Sequence, residues 1–171
     1  GFLFGDCFLQ IVHAQGADLV KLMITGGVMD ATERGMPGEV KMPAEMVRAV
    51  CERAHALGIP VVLGNDTSCQ WVAQYDFWRE LCYFHEYAGA SNACALYCAT
   101  GQSARMAGLG DVTGTLRPGL CADMLVTSEN PLADLRALRT LDMVVARGRI
   151  IDRPRPKRSA RLDAGLDTLL A

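Results

Sequence analysis

Several things that would settle the class of this chain at once are missing from it. No apolar run approaches the roughly 20 residues of a membrane-spanning helix. Charge is nearly balanced, with 17 Lys and Arg against 19 Asp and Glu and a formal net charge of −2. Such a balance gives nucleic acid and anionic membranes nothing to bind, and neither is expected as a partner. The three histidines, His13, His55 and His85, form no HxH or HExxH pair. Neither GxGxxG nor GxxxxGK[ST] occurs, so Gly26-Gly27 is a weak candidate for a phosphate loop. There is no internal repeat. The opening Gly1-Phe2-Leu3-Phe4-Gly5-Asp6-Cys7 has no basic flank and meets an aspartate early, which makes a poor signal peptide. The chain begins on glycine rather than methionine, as a processed product or a piece of a longer protein would. Its seven cysteines are an odd number scattered through apolar segments, the pattern of reduced thiols in a cytoplasmic protein.

What is present suits one ordinary domain, or one domain with a small appendage. Half of the 171 residues are hydrophobic and 21% are charged, enough to build a core and too apolar for a disordered chain. The run Ala17-Asp18-Leu19-Val20-Lys21-Leu22-Met23-Ile24 ends at Thr25-Gly26-Gly27 and reads as a buried strand, as in a parallel sheet. A second such run, Ile59-Pro60-Val61-Val62-Leu63-Gly64, leads into Asn65-Asp66-Thr67-Ser68. Between them lies a polar, glycine-rich loop, Gly26 to Gly38. A helix follows from Pro43 to near Gly58, with proline and glutamate in its first turn and glycine after its last. Its apolar face is Met46, Val47, Val50, Ala54 and Leu57. Helices are also expected from about Tyr75 to Ala88 and, capped by Ser91, from there to about Ala107.

The texture changes near Gly108. Glycines and prolines punctuate short segments, then Asp123 to Thr127 reads as a strand and Pro131 to Leu138 as a helical turn. Met143 to Ala146, Arg147-Gly148, and Arg149 to Ile151 read as a hairpin. A basic tail starts at Pro154, with a short helix expected over 160–170. The order is therefore strand, helix, strand, helix, helix and a small β-rich segment: an α/β chain.

Chemistry in a parallel α/β unit gathers at the carboxyl ends of strands. Asp66 stands there, where a carboxylate can ligate a metal and act as a base toward a metal-bound water. It equally suits an Asx-turn or a helix cap ahead of Thr67-Ser68. Lys21, mid-strand beside Leu19 and Met23 in the alternation, is costly to bury unless paired, modified or bound. The other reading is a lysine snorkelling from an edge strand. Cys82-x2-His85 with Cys94-x3-Cys98 carries zinc-ligand residue types, although the two pairs lie in helices where buried thiols are ordinary. His55, late in its helix, suits a cationic C-terminal role.

Taken together these blocks resemble the amidohydrolase superfamily, in particular its Xaa-Pro dipeptidase and imidazolonepropionase-like branch. Gly16 to Val28 resembles the strand in which that family carries a carboxylated lysine bridging two metals. Leu63 to Ser68 is similar to the late barrel strand whose aspartate binds metal and shuttles protons. Thr113 to Val126, Asn130 to Leu135 and Met143 to Ile151 resemble the return into the family's small β-sandwich. The resemblance covers about residues 16–153 in ordered blocks.

It implies a partial (β/α)8 TIM barrel over 1–110, return strands of the small β domain over 111–153, and a basic C-terminal tail over 154–171. It implies metal-dependent hydrolysis of amide or cyclic-amide C–N bonds in a small-molecule or dipeptide-like substrate. Lys21 and Asp66 would be metal ligands and Asp66 the catalytic proton shuttle. Gly26–Gly38 and Cys69–Tyr75 would face substrate. The cofactor would be a divalent metal, zinc by family habit. No HxH pair stands upstream of Lys21, and the helix ending at Gly58 runs directly into the Asp66 strand. A complete barrel takes about 200 residues or more, so this chain cannot close one. The alternatives are a shortened, catalytically silent homologue acting as a binding module or homo-oligomer, and a zinc module on Cys82, His85, Cys94 and Cys98.

Overall fold

The computed structural model describes residues 16, 18–24, 39–67 and 71–170. Two compact units divide the chain. One comprises Gly1–Val61 with Tyr87–Gly89, the other Val62–Glu86 with Ala90–Ala171.

The first unit is built on α1, Ala44–Ala56, which follows Pro43 and carries Glu45 in its first turn and Arg53 and His55 in its last. Those charges oppose the helix dipole at both ends. Val47, Val50 and Ala54, at helical spacing, form its buried face. The helix stops in a Schellman turn. Gly58 takes φ 68°, its N–H reaches the carbonyl of His55 at 3.0 Å, and the Ile59 N–H reaches Ala54 at 2.8 Å.

In the second unit a 3₁₀ turn, Gln74–Asp76, leads into α2, Phe77–Ala88, whose residues up to Glu86 belong to that unit. Trp78, Leu81 and Phe84 on α2 are buried. Next come α3, Asn92–Tyr97, a π-helical turn, Cys98–Gln102, and α4, Ser103–Met106. The Ser91 hydroxyl caps α3 by accepting the Cys94 N–H at 3.2 Å. Carbonyls loosened by the wide turn find side-chain donors: Ser103 Oγ donates to Cys98 O at 2.7 Å and Thr100 Oγ1 to Leu96 O at 2.6 Å. Gly114 packs directly against this turn with φ 91°. A Cβ there would sit 2.5 Å from Ala104 Cβ and 3.1 Å from Thr100 O, so no other residue fits.

The sheet has three antiparallel strands in the order β1 (Met124–Val126), β2 (Met143–Ala146) and β3 (Arg149–Asp152). Met124 pairs with Val145 and Ala146 with Arg149. The connecting Arg147 and Gly148 take φ 49° and 76°, the type I′ geometry that matches strand twist. Asp123 braces this corner. Its carboxylate accepts the Arg147 N–H at 2.6 Å and the Thr113 hydroxyl at 2.7 Å. The chain closes with α5, Ala160–Asp167, and a 3₁₀ turn, Thr168–Leu170, with the Ser159 hydroxyl capping at Leu162 N–H, 3.4 Å.

The mixed α/β class, the helices and the hairpin agree with the sequence reading. The two buried parallel strands do not. Residues 18–23 and 59–66 form no strand and join no ladder, and the described residues hold a single sheet, the antiparallel one. Leu19 is 68% exposed and Ile59 39%. An apolar run becomes a buried strand only when neighbours pair with both its edges and cover both its faces. No ladder partner stands beside either run among the described residues.

Candidate functional site

Lys21 lies in the irregular 18–23 stretch of the first unit and is exposed, as are Val20 and Met23. The expected apolar burial of this lysine is therefore not found. Asp66 belongs to the second unit, at the end of the other apolar run, and is exposed too. Its backbone takes φ 54°, the left-handed conformation that aspartate tolerates better than most residues. Beside it the Thr67 hydroxyl donates to Asn65 Oδ1 at 2.7 Å. Of the stretches expected to face substrate, 26–38 and 69–70 lie outside the described residues. Trp71 to Tyr75 are described, and Trp71 also takes a positive φ, 69°.

The cysteine and histidine set is not gathered. Cys94 and Cys98 stand on successive turns with sulfurs 4.0 Å apart. His85 Nδ1 is instead engaged at 2.7 Å by the carbonyl oxygen of Ala90, and burial pushes the Cys82 thiol pKa up. Among the described residues no three His, Cys, Asp or Glu side chains come together to hold a metal.

The densest polar constellation is one that the sequence reading missed. Arg79 and Asp76 are 3% and 4% exposed. Arg79 Nη2 donates to Asp167 Oδ1 at 2.7 Å and lies 3.9 Å from Asp163 Oδ1, while its Nε lies 3.5 Å from Asp76 Oδ1. Arg158 bridges Asp163 at 3.1 Å and Asp76 at 3.6 Å, and Arg139 reaches Asp167 at 2.9 Å. Three arginines thus face three carboxylates, so charge balances around the buried Arg79 and Asp76. Aromatic faces join them. Arg79 and Arg139 lie 4.5 and 5.6 Å from the Trp78 ring centre, and Arg158 lies 4.9 Å from that of Tyr75. The Arg79 hydrogen bond, with Arg139 adding to it, holds the Asp167 carboxyl below the usual range. Asp76 is raised, because burial outweighs the pull of Arg79. On α2, Glu80 is pushed up to about 7 by burial. The i, i+3 spacing of Asp76 and Arg79 and the i, i+4 spacing of Asp163 and Asp167 were visible signals. Their meeting across 88 residues was not.

No protein-family model and no curated protein matches the chain. Solved structures do. Over 75% of its length the chain is 43% identical to a Bifidobacterium longum protein classed provisionally as a prolidase, with a TM-score of 0.68. The chain belongs to the amidohydrolase superfamily. It spans 30% of the length of that Bifidobacterium protein. Its fold is also similar to that of a Xaa-Pro dipeptidase solved with bound methionine in the active site, at 24% identity and TM-score 0.54 over 64% of this chain and 25% of that one. A prolidase complexed with N-methylphosphonate-L-proline is 22% identical, at TM-score 0.63 over 87% and 38%. Among the described residues no helix is long and apolar enough to cross a membrane.

Proposed function

We propose that the chain carries part of a metal-dependent hydrolase of amide C–N bonds whose substrates are dipeptide-like. The observation that supports this most is the 43% identity to the Bifidobacterium protein. Within this reading residues 1–110 are a partial TIM barrel, 111–153 the return strands of the small β domain and 154–171 a basic tail. Lys21, carboxylated, and Asp66 are assigned to a divalent metal, zinc, and Asp66 also carries the proton. Carboxylation converts an ammonium into an oxygen donor, the only form in which this lysine suits a cation.

A second reading has a specific observation in its favour. With no three ligating side chains gathered among the described residues, a shortened and catalytically silent homologue that binds rather than hydrolyses also fits. The apolar, exposed Leu125, Val126, Ile150 and Ile151 suit such a module as a homo-oligomer.

The two separate on one experiment. The purified chain is loaded with zinc and proline release is measured from Xaa-Pro dipeptides, beside Asp66→Asn and Lys21→Ala. Turnover abolished in both variants supports the hydrolase. Turnover equal in all three removes Lys21 and Asp66 from it. No turnover with retained dipeptide binding selects the silent module. Zinc that survives Asp66→Asn and is lost on Cys94→Ser points to the helix thiols.

A further inference from the structure

The arginine–carboxylate cluster does more than fasten a tail. It ties α5 to residues 71–79, downstream of Asp66. Asp66 and Trp71, five positions apart, both hold φ in the left-handed region. A non-glycine residue keeps such a conformation only where its surroundings over-determine it. For Trp71 the surroundings include α5. A Cβ on Gly165 would fall 2.8 Å from Cζ3 of the indole and 3.3 Å from Cη2, so the helix backbone lies flush on the ring and only glycine permits it. Leu166, beside it, is buried.

The next residues are pinned by the same segment. The Tyr75 hydroxyl accepts the Ser159 N–H at 2.8 Å, Asp76 faces Arg158, and Arg79 is bound to Asp163 and Asp167. Each contact joins the stretch 71–79 to the stretch 158–167. Each would be lost if α5 lifted away. A loop held only by its own backbone would sample many conformers, since each fixed residue costs about 1–2 kcal/mol of chain entropy.

We propose that α5 is a positioning clasp for the Asp66 loop, with Gly165 seating Trp71 and the Asp163–Asp167 pair locking Arg79. The proposal rests on the assignment of Asp66 to the site. Gly165, Asp163 and Asp167 are positioning residues in it: they touch no reacting group and set where the loop stands.

The test is hydrogen–deuterium exchange on the full chain, with tryptophan emission as a second readout. Trp71 and Trp78 are the only two tryptophans of the sequence and both lie at this junction. Gly165→Ala and then Gly165→Val should speed amide exchange over 62–67 and 71–76 in graded fashion, reaching about tenfold or more, with β1–β3 unchanged. Emission should shift to the red in the same order. Asp167→Asn should produce a smaller acceleration, about threefold, in the same residues. Should the valine variant fail to fold, Gly165→Ala and Asp167→Asn decide. Unchanged exchange over 62–76 in these two overturns the clasp, as does an acceleration spread equally over β1–β3. Exchange needs no turnover, so a chain that hydrolyses nothing yet shows the local response loses the proposed function and keeps the clasp.

Discussion

Arg79 and Asp167 meet at 2.7 Å across 88 residues of sequence, one of them 3% exposed and the other at the rim. The asymmetry sets what each is worth. Removing Arg79 strips its cation from three carboxylates, of which Asp76 is buried. Removing the charge of Asp167 leaves Arg79 with Asp76 and Asp163. Arg79→Ala should therefore cost about 3 kcal/mol and Asp167→Asn about 1 kcal/mol, read from urea midpoints at unchanged slope. Equal losses would mean that the burial of Arg79 carries no weight.

Glu80 makes stability fall as pH rises. Burial disfavours its charge and pushes its carboxyl from the ordinary 4.5 up to about 7 in the folded chain. Between those values the folded state holds a proton that the unfolded state has released, so the stabilising contribution is full below 4.5 and lost as pH rises through about 7. Glu80→Gln should flatten that slope. At pH 8 it should raise stability by up to about 3 kcal/mol, measured by denaturant titration across pH 4 to 8.

Asp123 and Asp167 act with the opposite sign. Both carboxyls are held below their ordinary value, Asp123 first by the Arg147 N–H and then by the Thr113 hydroxyl. Their contribution is present above about pH 4 and disappears as pH falls through the lowered values. Asp123→Asn should lessen the loss of stability on acidification and leave the pH 5–7 slope, to which Glu80 contributes, as it was.

Gly114 should tolerate nothing else. With φ 91° and a would-be Cβ 2.5 Å from that of Ala104, Gly114→Ala must both strain the backbone and separate the turn from the helix. A loss of about 2–4 kcal/mol is expected, against a gain of a few tenths for Arg147→Asn, where φ is also positive but the side chain stands in the open. Thermal melts of the two variants should move in opposite directions.

These cases show where the sequence was readable. Elements closed by local chemistry were legible: Pro43 and Gly58 bounded α1, Ser91 announced α3, and Arg147-Gly148 marked the hairpin. The family blocks were legible too, because their order along the chain is itself a signal. The strands around Lys21 and Asp66 were misjudged, since an apolar run states only that it can be buried and not that a partner stands beside it. The Arg79 cluster was invisible for a similar reason. Its members are scattered over 76–167, and nothing local in any of them says which opposite charge it will meet.

The π turn at Cys98–Gln102 has its own consequence. It inserts one residue into what is otherwise a continuous helix from Asn92 to Met106. Were the same residues wound as a regular α-helix, every side chain after the turn would rotate by about 100° relative to those before it. Ala104, now buried against Gly114, would swing off its seat. The irregular turn is thus an adjustment of phase: it lets one helix present matched faces both to its own unit's interior at Ala95 and to the glycine corner at Ala104.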